Sequence, residues 1–186
     1  MQEPENAGRI RILTVDDHPL LREGVASMIN AEPDMQLVAE ADSGAEAIKQ
    51  FLSCRPDVTL MDLQMPGMNG VDAIKAIRAE FEDARIIVLT TYTGDVQVLQ
   101  ALKAGAAGYL LKSALRTELL NAIRAVHIGQ RHVSASIATE IAQHVGEVAQ
   151  APGKRRRRYL RQRRGVGGQS KQLAAKLLRF ARRGLP

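Results

Sequence analysis

The sequence predicts an α/β protein: a five-stranded, doubly wound parallel sheet with strands in the order 2-1-3-4-5, and three observations lead there. Short apolar runs alternate five times with segments whose apolar residues recur at helical spacing. Two of those runs, Val58 to Leu63 and Arg85 to Thr90, are rich in apolar and β-branched residues, the composition of strands covered on both faces. Aromatic residues make up 3% of the chain and Trp is absent, so the core must be aliphatic, which suits helices laid on a sheet.

The first strand is Ile10 to Val15, and it ends in Asp16-Asp17-His18-Pro19. From Pro19 the residues Leu20, Leu21, Val25, Met28 and Ile29 trace one helical stripe, with Asp17 or His18 as its cap. Met35 to Ala41 reads as the second strand, and Ser43 opens a helix that turns Ala45, Ala47, Ile48, Phe51 and Leu52 inward. The turn Arg55-Pro56-Asp57 leads into the third strand, ending at Asp62-Leu63. After Met68-Asn69-Gly70 comes a helix with Val71, Ile74, Ile77 and Phe81 on one side. Arg85 to Thr90 is the fourth strand. A polar stretch from Thr91 to Asp95 and a helix through Val96, Leu99 and Leu102 follow, closed by Gly105. The fifth strand is Gly108 to Lys112, the fifth helix spans Leu115 to Ile128, and His132 to Val145 predicts one further helix. Short loops and right-handed crossovers then cover both faces of the sheet.

The formal net charge of +6 hides an asymmetry. Met1 to Gln150 carries 13 Lys and Arg against 20 Asp and Glu, a net of −7, whereas Ala151 to Pro186 carries 13 basic residues and no acidic one. This change of sign sets a boundary near Ala151-Pro152-Gly153 and gives the two parts different partners. The chain divides into a disordered N-terminus (1–8), the α/β domain (9–129), a linker or dimerisation helix (130–150) and a basic tail (151–186) whose apolar content is too low for a core of its own. A single cysteine, Cys54, excludes an internal disulfide and indicates a reducing cytoplasmic setting. The first residues lack a secretory pattern and no apolar run reaches membrane-spanning length, so no membrane partner is expected.

In a sheet of order 2-1-3-4-5 the carboxyl ends of strands 1, 3, 4 and 5 converge, and reactive groups collect there. Those ends carry Asp16 and Asp17, Asp62, Thr90 and Lys112. Three clustered carboxylates need compensating positive charge to stay ionised, and Mg2+ fits, since it favours a few carboxylates plus water and phosphate oxygens. Thr90 and Lys112 add donors for phosphate oxygens. The set suits phosphoryl transfer to a carboxylate, with Asp62 on the central strand as the nucleophile. Each residue alone has a plainer reading: Asp16-Asp17 as a helix cap, Thr90 as a strand-end hydroxyl, Lys112 as a solvated cation. Their joint placement outweighs these. His18, His127, His132 and His144 show no ligand-like clustering and read as surface or connector residues.

Asp16-Asp17, Met61-Asp62-Leu63-Gln64-Met65-Pro66-Gly67-Met68-Asn69-Gly70, Leu89-Thr90 and Gly108-Tyr109-Leu110-Leu111-Lys112 together resemble the motif set of bacterial response-regulator receiver domains, over about Arg9 to Gly129. The resemblance implies a flavodoxin-like fold and a regulatory phosphoacceptor rather than an enzyme. It implies that Asp62 accepts a phosphoryl group from a sensor histidine kinase, and that Asp17, Asp62 and the backbone carbonyl of Gln64 hold Mg2+, Asp16 assisting through water. Lys112 would pair with the phosphoryl oxygens. Thr90 would swing toward the phosphate and Tyr109 turn inward, altering the surface around the fourth helix and fifth strand, with homodimerisation on phosphorylation. Lys112-Ser113 departs from the Lys-Pro of many receivers, and with Gly129-Gln130-Arg131-His132-Val133-Ser134 it resembles the LuxR/NarL-type branch.

That branch continues into a helix-turn-helix domain of about sixty residues. Here Gly168-Gln169-Ser170-Lys171-Gln172-Leu173-Ala174-Ala175-Lys176-Leu177 loosely resembles its first helix, and the Arg-rich run before it resembles none of it. The expectation is a truncated or frame-shifted output region, able at most to bind nucleic acid through salt-sensitive phosphate contacts. Two outputs follow from this: transcription control, or a receiver acting through protein partners or as a phosphoryl sink. A dinucleotide-binding domain is excluded because Asp16-Asp17 stands where its glycines belong. A haloacid-dehalogenase-like phosphatase is excluded because Leu63-Gln64 replaces its second aspartate.

Overall fold

A computed structural model of the chain describes residues 8–91 and 100–133. The elements follow in the order β1 (Ile10–Val15), α1 (Pro19–Asn30), β2 (Met35–Ala41), α2 (Gly44–Cys54), β3 (Val58–Asp62), α3 (Gly70–Glu80) and β4 (Ile86–Thr90). Of α4, residues 100–103 are described; β5 (Gly108–Leu111), a 3-10 turn at Lys112–Ala114, α5 (Leu115–His127) and β6 (His132–Val133) complete the set.

Helix starts follow local chemistry. Ser43 accepts the amide of Glu46 and Asn69 accepts that of Asp72 at 3.0 Å, so α2 and α3 are capped by side chains. Helix α1 begins with Pro19, and His18 at its N-cap makes no side-chain capping bond.

The strands run in the order β2-β1-β3-β4-β5-β6, and the pairs from β2 through β5 are parallel. The predicted order is confirmed, with a sixth strand added to the expected five. The helix expected to begin at His132 is corrected here: His132 donates its amide to Ala107 O (3.2 Å), and His132–Val133 lies along the open edge beside β5. An unpaired strand edge offers backbone partners at once, whereas an isolated helix start offers none until a full turn has closed. The remainder of that predicted helix, the polar stretch from 92 onward, most of the fourth helix, the N-terminus and the basic tail lie outside the described residues.

Strands β3 and β4 are buried at every position, as central strands of a doubly wound sheet must be. One face packs Ile12, Val58, Leu60, Ile87, Leu89 and Leu110 against Val25 and Ile29 of α1 and Leu119, Ile123 and Val126 of α5. The alternate residues, among them Leu13, Met61, Ile86 and Val88, face the other way, where α2 and α3 lie against each other and bury Phe51, Ile74 and Ile77. Among the described residues no helix is long and apolar enough to cross a membrane.

Candidate functional site

Register alone brings the predicted residues to one place. Val15 pairs with Met61, so Asp16, the next residue, comes level with Asp62. Asp62 opposes Leu89 and Thr90 opposes Leu111, which sets Thr90 and Lys112 at the same edge.

Asp16 is held on every side. Its amide donates to Ala41 O (3.1 Å), its carbonyl accepts Arg22 Nη1 (2.5 Å), and Oδ1 accepts the His18 amide (2.9 Å). Its Oδ2 lies 2.6 Å from Lys112 Nζ. Asp62 accepts the Gln64 amide on Oδ1 (3.1 Å) and Lys112 Nζ on Oδ2 (2.7 Å). Asp16 and Asp62 are 1% and 2% exposed, whereas the Asp17 side chain, at 28%, opens to solvent. Lys112 therefore bridges two buried carboxylates. Burial pulls its ammonium down, but hydrogen bonds and charge from Asp16 and Asp62 outweigh burial and hold it above its ordinary value.

Thr90 and Tyr109 are wholly buried. Burial pushes the Tyr109 hydroxyl up to about 12, opposed by its hydrogen bond with Thr90 and assisted by the charge of Asp62. All three residues thus share one electrostatic neighbourhood. Tyr109 occupies an inward position in this structure.

The turn after β3 is shaped by two glycines. Gly67 has φ +75, a conformation other residues adopt only with strain. A Cβ on Gly70 would run into the Asp62 carbonyl oxygen and lie 2.9 Å from Leu63 Cα, so only glycine lets α3 start this close to the end of β3.

Two further residues reach the site without having been singled out for it. His18, expected to be a surface residue, is 68% exposed at its side chain, yet its Nδ1 lies 3.1 Å from Asp16 Oδ1 and 2.9 Å from Asp17 Oδ1. Arg22, one helical turn beyond it, fixes the Asp16 carbonyl. The adjacent triplet Asp16-Asp17-His18 was the available signal for the first; the second is visible only once α1 is placed.

The donor set fits a divalent cation. Ligand atoms of Asp16, Asp17, His18 and Asp62 lie within 4.8 Å of one another. Three carboxylates gather there and Lys112 pairs with two of them, Asp16 and Asp62, leaving an excess of negative charge that a hard cation with oxygen ligands offsets.

Residues 12–124 match the family model for the response regulator receiver domain. The chain is 40% identical over 143 residues to the transcriptional regulatory protein LiaR of Bacillus subtilis (strain 168), covering 75% of this chain and 68% of LiaR. It is 41% identical over 133 residues to the response regulator GacA of Pseudomonas viridiflava, covering 72% of this chain and 62% of GacA. The crystal structure of a two-component response regulator of the LuxR family from Aurantimonas sp. SI85-9A1 superposes with a TM-score of 0.71 at 41% identity, over 75% of this chain and 99% of that one. With the matched model spanning most of the α/β domain and the acidic edge built as described, the chain belongs to the response regulator receiver family, among relatives of LuxR/NarL type.

Proposed function

We infer that residues 9–129 act as a phosphoacceptor switch, in which Asp62 takes a phosphoryl group from the phosphohistidine of a sensor kinase. The observation that carries this reading is the meeting of Asp62 and Lys112 at 2.7 Å on the sheet's carboxyl edge, beside Asp16. A carboxylate oxygen of Asp62 attacks phosphorus as the phosphorus–nitrogen bond breaks. The electron pair returns to the imidazole nitrogen, and an acyl phosphate remains on Asp62. Asp17, Asp62 and the Gln64 carbonyl are the residues to hold Mg2+, with Asp16 assisting through water; when bound, the ion offsets charge on the phosphoryl oxygens. Lys112, already over Asp62, moves its contact from carboxylate to phosphoryl oxygen.

The buried pair Thr90 and Tyr109 reports the state. Thr90 turns its hydroxyl toward the phosphoryl group and so alters the packing of Tyr109 on β5, biasing a two-state surface and favouring a homodimer. Relatives named as transcriptional regulators support transcription control as the output. The basic residues of 151–186 supply cations for salt-sensitive contacts with nucleic acid.

The test is direct. Incubated with acetyl phosphate and Mg2+, the wild-type chain gains the mass of one phosphoryl group and Asp62→Asn gains none; equal labelling of the variant overturns the assignment.

A further inference from the structure

His18 is more than the first residue before α1. It stands at the N-cap, yet its side chain makes no capping bond, and the ring turns instead to the acidic pair. Its amide is fixed on Asp16 Oδ1 at 2.9 Å, which sets where the ring can go. Nδ1 then lies 3.1 Å from Asp16 Oδ1 and 2.9 Å from Asp17 Oδ1. Neighbouring donors on an octahedral ion with bonds of about 2.1 Å are about 3.0 Å apart, so Nδ1 and Asp17 Oδ1 are spaced as two neighbouring ligands of one ion.

We propose that His18 Nδ1 is a protein ligand of the metal site, and that its nitrogen gives the site a preference for Mn2+ or Co2+ over Mg2+. Imidazole suits transition ions, whereas Mg2+ takes oxygen ligands, so one nitrogen among carboxylates shifts the selection without moving the acids. Asp17 and His18 are the solvent-facing members of the cluster and Asp16 and Asp62 the buried ones, so an ion entering from solvent meets the first two. The inference rests on the acidic edge being a cation site, and it adds a ligand and an ion class to that reading.

The experiment uses the full chain without a histidine tag, titrated calorimetrically with MnCl2, CoCl2 and MgCl2 in turn, and an electron spin echo spectrum of the Mn2+ complex. The variants are His18→Ala, His18→Gln and Asp17→Asn, each checked by circular dichroism. Wild type should show 14N modulation on Mn2+. His18→Ala and His18→Gln should lose it, with Mn2+ and Co2+ binding weakened by about tenfold and Mg2+ binding changed far less. Nitrogen modulation that is absent from wild type, or that survives in both His18 variants, overturns the role of His18. So does an equal effect of these variants on all three ions. Binding that Asp17→Asn leaves intact overturns the cation site itself, a separate failure.

Discussion

Lys112 Nζ and Asp62 Oδ2, from residues fifty apart in the chain, meet at 2.7 Å with their side chains 9% and 3% exposed. The same ammonium lies 2.6 Å from Asp16 Oδ2. One cation thus serves two buried carboxylates, and the resting site stores a charge balance that any ligand must rearrange.

Lys112→Met leaves those carboxylates facing each other without their cation. In chelator-treated protein we expect a loss of about 3–5 kcal/mol in unfolding free energy from urea melts, the cost of breaking a buried ion pair from one side. Added Mg2+ should restore part of it. A variant as stable as wild type with no divalent ion present contradicts the bridge.

Alkali should unfold the protein through Tyr109 and Lys112. Both groups titrate higher in the folded chain, Tyr109 at about 12 against 10.0. A group whose folded value is raised binds its proton more tightly in the native state. Its contribution is therefore complete below the unfolded value and fades as pH climbs to the folded one. For Tyr109 that window is pH 10 to 12 and the loss is about 2–3 kcal/mol. Urea midpoints at pH 8 and pH 11.5 should differ less for Tyr109→Phe than for wild type. An identical drop in both places the alkaline loss elsewhere.

Gly70→Ala should disturb Asp62 without touching its side chain. The added methyl meets backbone of Asp62 and Leu63, which cannot move without shifting the end of β3. A destabilisation of about 1–3 kcal/mol is expected. Labelling by acetyl phosphate should fall even in the fraction that stays folded, measured by mass spectrometry beside circular dichroism. Normal labelling shows that the turn tolerates the methyl.

Thr59→Val should stabilise the protein. Thr59 is fully buried in β3 and its hydroxyl has no hydrogen-bond partner among the described residues, while valine keeps its shape. Removing an unsatisfied buried hydroxyl gains about 1 kcal/mol, read as a higher urea midpoint at unchanged slope. A lower midpoint means the hydroxyl is satisfied after all.

The strands and helices were legible because their patterns are local. Val58 to Asp62 and Ile86 to Thr90 announce burial on both faces, and Ser43 and Asn69 announce helix starts. The acidic edge was legible for a related reason: in a parallel sheet of known order, a residue's distance from its strand end places it in space. β6 was not legible, because Gly129 to Ser134 carries no strand pattern in the sequence, and His132–Val133 pairs where β5 leaves an edge open. The approach of the exposed His18 to Asp16 and Asp17 was not legible, because a residue at a helix cap reads the same in sequence whichever way its ring turns.

The sequence by itself determined the alternation of elements, the residues at each strand end and the charge excess that calls for a cation, since these depend on spacing and composition. Only tertiary structure decided that one ammonium bridges Asp16 and Asp62, that Gly70 must lack a side chain beside Asp62, that Arg22 grips the Asp16 carbonyl and that His18 turns toward the acids. The physical reason is reach. Hydrogen bonds, ion pairs and steric contacts act over about 3 Å, and residues as far apart in the chain as Asp16 and Lys112 come that close only when the sheet has set its register.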